Sequence, residues 1–298
     1  MTEGYIVMAL DDQRYLDLAV NLALSVRRLE TRPISVVVNQ GIQVGPAHRG
    51  LFDHIIELPA DPSIRGAMNK ARLFEFTPYE RTMYVDADCI FFNARTEFFW
   101  RKFQGQGFAV DGHKQSTGPV FACSLGQKDA AELCRLLSIP YITVFNAGVM
   151  YFERTAAGQR VFERALELYR GPHRDAISYR YKHEGEYADE PFFGAALASH
   201  GIAPYESQPA QRLQVTTPNA IDGVFDLDIG DLRVLKQFPD GRQDVWSGAI
   251  CHFCGLSPMN IYFDLADRLR QPQGWEPMNR ALFQPVVLTA THHQEAQH

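Results

Sequence analysis

Apolar positions in the first third of the chain alternate between two periods. A short apolar run covers residues 5–10. Residues 15–28 then carry apolar side chains at helical spacing, at Leu16, Ala19, Val20, Ala23, Leu24 and Val26. Residues 34–38 are rich in β-branched side chains and predict a second buried strand, and residues 54–58 a third. Turn residues follow, then an expected helix at about 68–76 and a strand at 82–85. Such alternation predicts an α/β fold: a mostly parallel central sheet flanked by helices. Ligands in such sheets collect at the carboxyl ends of the strands. Further on, residues 107–111 and 144–152 predict strands, 156–169 a helix and 170–188 a polar, aromatic loop. Asp189 opens another helix, with Glu190 and Pro191 in its first turn. Residues 249–253 form the last apolar strand. No repeat or composition shift divides the chain. One domain is therefore expected over 1–283, followed by a flexible tail at 284–298.

Composition narrows the class only slightly. The 298 residues are 46% hydrophobic and 21% charged, with a formal net charge of −6, ordinary values for a globular enzyme. No long basic run is present, so nucleic acid is not an expected partner. No apolar run is long enough for a transmembrane helix, and the run at 5–10 has no basic flank before it, unlike a signal peptide. Five cysteines, Cys89, Cys123, Cys134, Cys251 and Cys254, lack regular spacing, which suits a reducing compartment and a cytoplasmic protein.

The segment Met83-Tyr84-Val85-Asp86-Ala87-Asp88-Cys89-Ile90 carries the most chemical information. Carboxylates at i and i+2 share one face of an extended strand. Two like charges between apolar runs are costly unless a cation lies between them. A hard dication with oxygen ligands, Mn²⁺ or Mg²⁺, meets that need and leaves positions for diphosphate oxygens. The plainer alternative is that Asp86 caps a turn while Asp88 is solvated.

Three further segments fit the same site. Phe145-Asn146-Ala147-Gly148 begins a strand with a polar residue and a glycine, which allows close backbone approach. Asn146 offers donors and an acceptor for sugar hydroxyls. Asp189 and Glu190 stand at a helix start, where one is expected to cap and the other to face a donor sugar or act as a base. Cys251-His252-Phe253-Cys254-Gly255 contains a single CxxC, too few ligands for a closed zinc site. His252 as a third ligand beside Asp86 and Asp88 explains the segment better, with Gly255 bringing the loop to phosphate. A buried histidine without a ligand role is the alternative.

Taken in order, ALDD near the N-terminus, Ala-Arg-Leu at 71–73, YVDAD, FNAGV, the acidic pair and His252-Phe253-Cys254-Gly255 resemble glycosyltransferase family 8. The likeness runs from Ile6 to Gly255. It implies the GT-A nucleotide-diphospho-sugar transferase fold and a retaining transfer of a hexose from a UDP-sugar to a saccharide or other hydroxyl acceptor. It further implies that Ala9, Asp11 and Tyr15 line the nucleoside pocket and that Arg72 contacts the donor. By the same likeness, Asp86, Asp88 and His252 hold Mn²⁺ (or Mg²⁺), Asn146 and Asp189 hold the transferred sugar, and Gly255 faces the β-phosphate.

Two positions depart from that pattern. The family commonly follows the His-X-X-Gly segment with a Lys-Pro-Trp run whose lysine clamps the diphosphate; here Leu256-Ser257-Pro258-Met259 follows. Losing a cation beside a leaving diphosphate weakens transition-state stabilisation unless Arg72, Lys70 or the metal compensates. Glu190 stands where many relatives carry glutamine, and places a carboxylate that can serve as nucleophile or base. Two other readings stay open: a degenerate domain that binds a nucleotide-sugar without turnover, and a sugar nucleotidyltransferase. The latter usually has a glycine-rich basic loop after its first strand, where this chain reads Leu10-Asp11-Asp12-Gln13-Arg14. Acceptor contacts are expected from 111–120 and 170–187, the second with Tyr179, Tyr181 and Tyr187 for stacking or for covering the core.

Overall fold

A computed structural model describes residues 2–120, 129–178, 186–238 and 240–283. The predicted tail at 284–298, Cys123, Tyr179 and Tyr181 lie outside the described residues. Strands β1 (Glu3–Ala9), β2 (Ile34–Val38), β3 (His54–Glu57) and β4 (Arg81–Val85) come first, followed by β5 (Cys89–Phe91), β6 (Phe108–Ala109), β7 (Gly112–Gln115), β8 (Ile142–Phe145) and β9 (Val149–Glu153). The last four are β10 (Arg212–Thr216), β11 (Ala220–Asp226), β12 (Asp231–Gln237) and β13 (Gln243–His252).

The main sheet has the order β3-β2-β1-β4-β9-β6. Its first four strands are parallel, as the alternation predicts, while β9 runs antiparallel to both of its neighbours, β4 and β6. Successive residues of β1 serve opposite faces, as a buried central strand requires. Tyr5, Val7 and Ala9 join one apolar cluster, and Ile6 joins the other. The Gln13–Arg27 helix is capped by Asp12, whose carboxylate accepts from the Arg14 amide at 2.9 Å. That helix is buried almost all round, because it also packs against the Met259–Arg270 helix. Asn21 inside that contact bonds Tyr262 and Arg270, which explains a polar residue there.

A second sheet runs β10-β13-β12-β11 and is joined by β5, which pairs antiparallel with β13. The predicted strand at 249–253 is the end of the ten-residue β13. The predicted helix at 68–76 splits into a 3-10 turn, Gly66–Arg72, and a single turn, Leu73–Phe76. The predicted strand at 144–152 is likewise two strands: β8 pairs with β7 and β9 with β4. A continuous apolar run shows burial but not which sheet accepts each half.

Candidate active site

The carboxyl ends of β1 and β4 lie side by side, since Ile6 is level with Tyr84. The chain does not continue extended past Val85, as the i, i+2 pattern predicts. Asp86 to Asp88 form a turn, closed by the Cys89 amide on the Asp86 carbonyl at 3.1 Å. The Asp86 amide donates to the Gly148 carbonyl at 2.8 Å, which ties this turn to the break between β8 and β9. Both carboxylates are half-buried.

His252, at the end of β13, closes the site. Its Nε2 lies 3.1 Å from Asp88 Oδ1 and 3.7 Å from Asp86 Oδ2. Its Nδ1 lies 2.7 Å from Asn146 Oδ1. Asn146 donates through Nδ2 to Glu190 Oε1 at 2.9 Å, so Oδ1 is its acceptor end and His252 Nδ1 carries the hydrogen. This bond orients the ring and reserves Nε2 for whatever lies between the carboxylates. Burial opposes the imidazolium, but Cys254, Asp88 and Cys89 outweigh it and hold His252 well above the ordinary histidine value. Two carboxylates and an imidazole nitrogen converging in this way fit a divalent cation. Gly148 has room for no side chain, because a Cβ there would sit 2.3 Å from His252 Nδ1 and 2.8 Å from Asn146 Oδ1.

The acidic pair at 189–190 performs no capping. The helix Glu190–Ser199 has no side-chain bond at its N-cap, Asp189. Asp189 instead lies 3.1 Å from Lys70 Nζ, which also lies 3.0 Å from Asp86 and donates to the Ala147 carbonyl at 3.1 Å. Burial opposes ionisation of Asp86, yet Lys70 and His252 hold its carboxyl below the usual range. Asp189 is shifted the other way, by burial that Lys70 only partly offsets. Glu190 accepts from the Asn146 side chain and from the Ala147 amide at 3.1 Å, both on Oε1. Burial and the neighbouring Asp189 push it up to about 7.

The remaining expected residues divide into two groups. Ala9 is buried at the end of β1, and Asp11 and Tyr15 follow it at the same sheet edge. Asp11 has a left-handed φ of 66° and exchanges hydrogen bonds with Asn39 at 2.9 and 2.6 Å. The Tyr15 phenol is raised by burial and by the charge of Asp88. Gly255 stands exposed after β13 at φ 64°, with open space around it. Arg72 does not join the cluster: it reaches Asn69 at 3.4 Å and lies over Phe76. Lys70 takes the cationic position instead. Sequence reasoning also missed Gln214, whose side chain donates to the Asn146 carbonyl at 2.6 Å.

Among the described residues of the expected acceptor segments, Asp111 and Tyr187 serve the fold. Asp111 is buried and accepts from Ser207 Oγ at 2.7 Å and from the Leu213 amide at 3.1 Å. Tyr187 is 1% exposed, under the Arg174 guanidinium and bonded to Asp175, so it covers the core. Among the described residues, no helix is long and apolar enough to cross a membrane.

No family model matches this chain, and no curated protein matches it. Solved structures do. The galactosyltransferase LgtC, in complex with donor and acceptor sugar analogues, superposes with a TM-score of 0.53 at 14% identity, over 90% of this chain and 96% of its own. An active-site glutamine-to-glutamate variant of LgtC gives 0.53 at 16%, over 89% and 95%. GlyE of Streptococcus pneumoniae TIGR4 gives 0.41 at 13% over 70% of this chain, which spans 46% of GlyE. The fold is therefore the α/β GT-A fold of glycosyltransferases, with a central, mostly parallel sheet between helices.

Proposed function

We propose that this chain is a metal-dependent glycosyltransferase of the family 8 type, built as one domain over 1–283 and working in the cytoplasm. It moves a hexose from a UDP-sugar to an acceptor hydroxyl with retention. The observation that carries this reading is the convergence of Asp86, Asp88 and His252, with Asn146 fixing the ring so that Nε2 faces both carboxylates.

A dication held by these three residues would supply charge neutralisation for the departing diphosphate. The protein's own groups do the rest. Ala9, Asp11 and Tyr15 bind the nucleoside at the end of β1, and Gly255 lets the loop after β13 approach the phosphates. Asn146 and Asp189 orient the hexose. Lys70 compensates the two carboxylates it touches and stands in for the cation missing after Gly255. Glu190 is the carboxylate that acts at the reaction centre, on the anomeric carbon as nucleophile or on the acceptor hydroxyl as base. Both of its hydrogen bonds fall on Oε1, and among the described residues none falls on Oε2.

The test is a thermal-shift screen of UDP, GDP, CMP and ADP and their common sugars, with and without Mn²⁺. A ligand at a hundred times its dissociation constant adds roughly 2.7 kcal/mol. A Mn²⁺-dependent rise with UDP or a UDP-sugar, lost in Asp88→Ala, is expected; no rise with any nucleotide refutes the reading. A second reading, nucleotide-sugar binding without turnover, rests on Leu256, which is buried immediately after Gly255 where the family's lysine run begins. Binding with neither hydrolysis nor transfer would establish it.

A further inference from the structure

Asn146 is gripped twice from the second sheet. His252, at the end of β13, reaches its side chain, with Nδ1 2.7 Å from Oδ1. Gln214, on the neighbouring strand β10, reaches its main chain: Nε2 donates to the Asn146 carbonyl at 2.6 Å. The two strands run parallel, with Thr216 level with His252 and Gln214 level with Ile250. Side chains alternate along a strand, so Gln214 and Thr216 share a face, while Leu213 and Val215 join the apolar core. Asn146 itself stands between β8 and β9, and its Oδ1 also accepts from the Gly148 amide at 3.0 Å.

Gln214 is a poor choice for stability alone. The residue is 6% exposed, and its Oε1 has no hydrogen-bond partner among the described residues. Turning the amide over would set oxygen against the Asn146 carbonyl oxygen, so the unpaired atom is fixed as Oε1. A buried acceptor without a donor costs at least as much as one neutral hydrogen bond returns. An apolar residue of the same length would remove that oxygen. It would leave the Asn146 carbonyl unpaired instead, since no other donor reaches that carbonyl among the described residues. One unpaired acceptor would replace another. What the glutamine alone supplies is the hold on Asn146.

We propose that Gln214 is a positioning residue of the candidate metal site. With His252 it forms a two-point clamp on Asn146, which fixes the end of the second sheet against the break between β8 and β9. The clamp holds the imidazole where Nε2 faces Asp88 and Asp86. A second bond on the residue that orients a ligand narrows the ligand's position, as outer partners do in metal sites. The consequence for metal binding rests on the proposed role of Asp86, Asp88 and His252; the clamp itself does not.

The test compares the whole parental chain with Gln214→Met and Gln214→Leu. In urea with chelator, both variants should keep the parental midpoint or exceed it, with an unchanged slope. Nitrogen-15 NMR in chelator follows the His252 ring proton on Nδ1, assigned by its absence in His252→Gln. In Gln214→Met this proton should exchange with solvent faster by about tenfold or more, since protection reports local opening. The Mn²⁺ dissociation constant, read by electron paramagnetic resonance, should rise roughly 10–100-fold, as when an outer partner of a metal ligand is lost. Parental exchange in Gln214→Met, or a ring proton already unprotected in the parent, overturns the proposal. So does a lowered midpoint in both variants, which would make Gln214 an ordinary structural residue. Faster exchange with no Mn²⁺ binding by the parent upholds the clamp and removes the metal-dependent transferase. Parental exchange beside a Mn²⁺-dependent UDP shift removes the clamp and leaves the transferase.

Discussion

Replacing Lys70 tests whether the polar cluster is held together by buried charge. The residue is 5% exposed, and its ammonium stands 3.0 Å from Asp86 and 3.1 Å from Asp189. Lys70→Met keeps the stem and removes the charge, leaving two carboxylates facing one another without a cation. Breaking a buried pair by deleting one partner costs about 3–5 kcal/mol, and here one deletion strands two anions. The assay is urea unfolding in chelator at pH 8, where an unchanged slope and a lower midpoint report a pure stability loss. Adding Asp189→Asn to Lys70→Met should recover at least about 1 kcal/mol, since contacting residues are coupled. Mn²⁺ should stabilise Lys70→Met more than the parent, because a dication between the carboxylates replaces the missing charge. A loss below about 1 kcal/mol, the value of a solvated surface pair, together with no extra effect of Mn²⁺, would refute the reasoning.

Three other variants probe separate parts of the site. Glu190→Gln abolishes a pH slope: the folded state holds a proton between the ordinary 4.5 and about 7, so parental stability falls as pH rises through that window. The change is at most about 3 kcal/mol, read from melts across pH in chelator, and a parent without the slope would falsify it. If ionised Glu190 does the chemistry, kcat/KM of the parent also rises with pH through about 7. Gly148→Ala drives a methyl into His252 and Asn146 and should cost about 1–3 kcal/mol along with the Mn²⁺-dependent nucleotide shift; a variant with parental melting and binding contradicts it. Asp111→Ala strands the Leu213 amide and the Ser207 hydroxyl, at a cost of about 1–3 kcal/mol. Nucleotide binding should stay unchanged, and its loss would move Asp111 into the site.

The parallel half of the sheet was legible because each strand there is a short apolar run next to a helix with its own period. Strand β12 was equally open to reading, with Leu232, Val234 and Lys236 buried between half-buried or exposed neighbours, yet none of β10 to β12 was predicted. Lys70 carried a weaker signal. A lone lysine beside Met68, Ala71 and Leu73 reads as one exposed position on a helix, and only the 3-10 turn buries it. Its partners lie 16 and 119 residues away, and no local pattern encodes them.

Spacing along the sequence does not show which thiol shares a face with His252. In the sequence, Cys251 and Cys254 flank His252 and look like its natural companions. Along β13 the side chains alternate, so adjacency to His252 places Cys251 on the far face. Cys89, 163 residues earlier, is the strand partner of His252, because β5 pairs antiparallel with β13 and puts the two residues in register. Residues that share a short motif on a strand are therefore poor candidates for one site when they are one apart. A strand partner is a better candidate, however distant in the chain. The Asp86–Asp88 pair escapes this rule because the strand ends at Val85 and the turn brings both carboxylates toward His252.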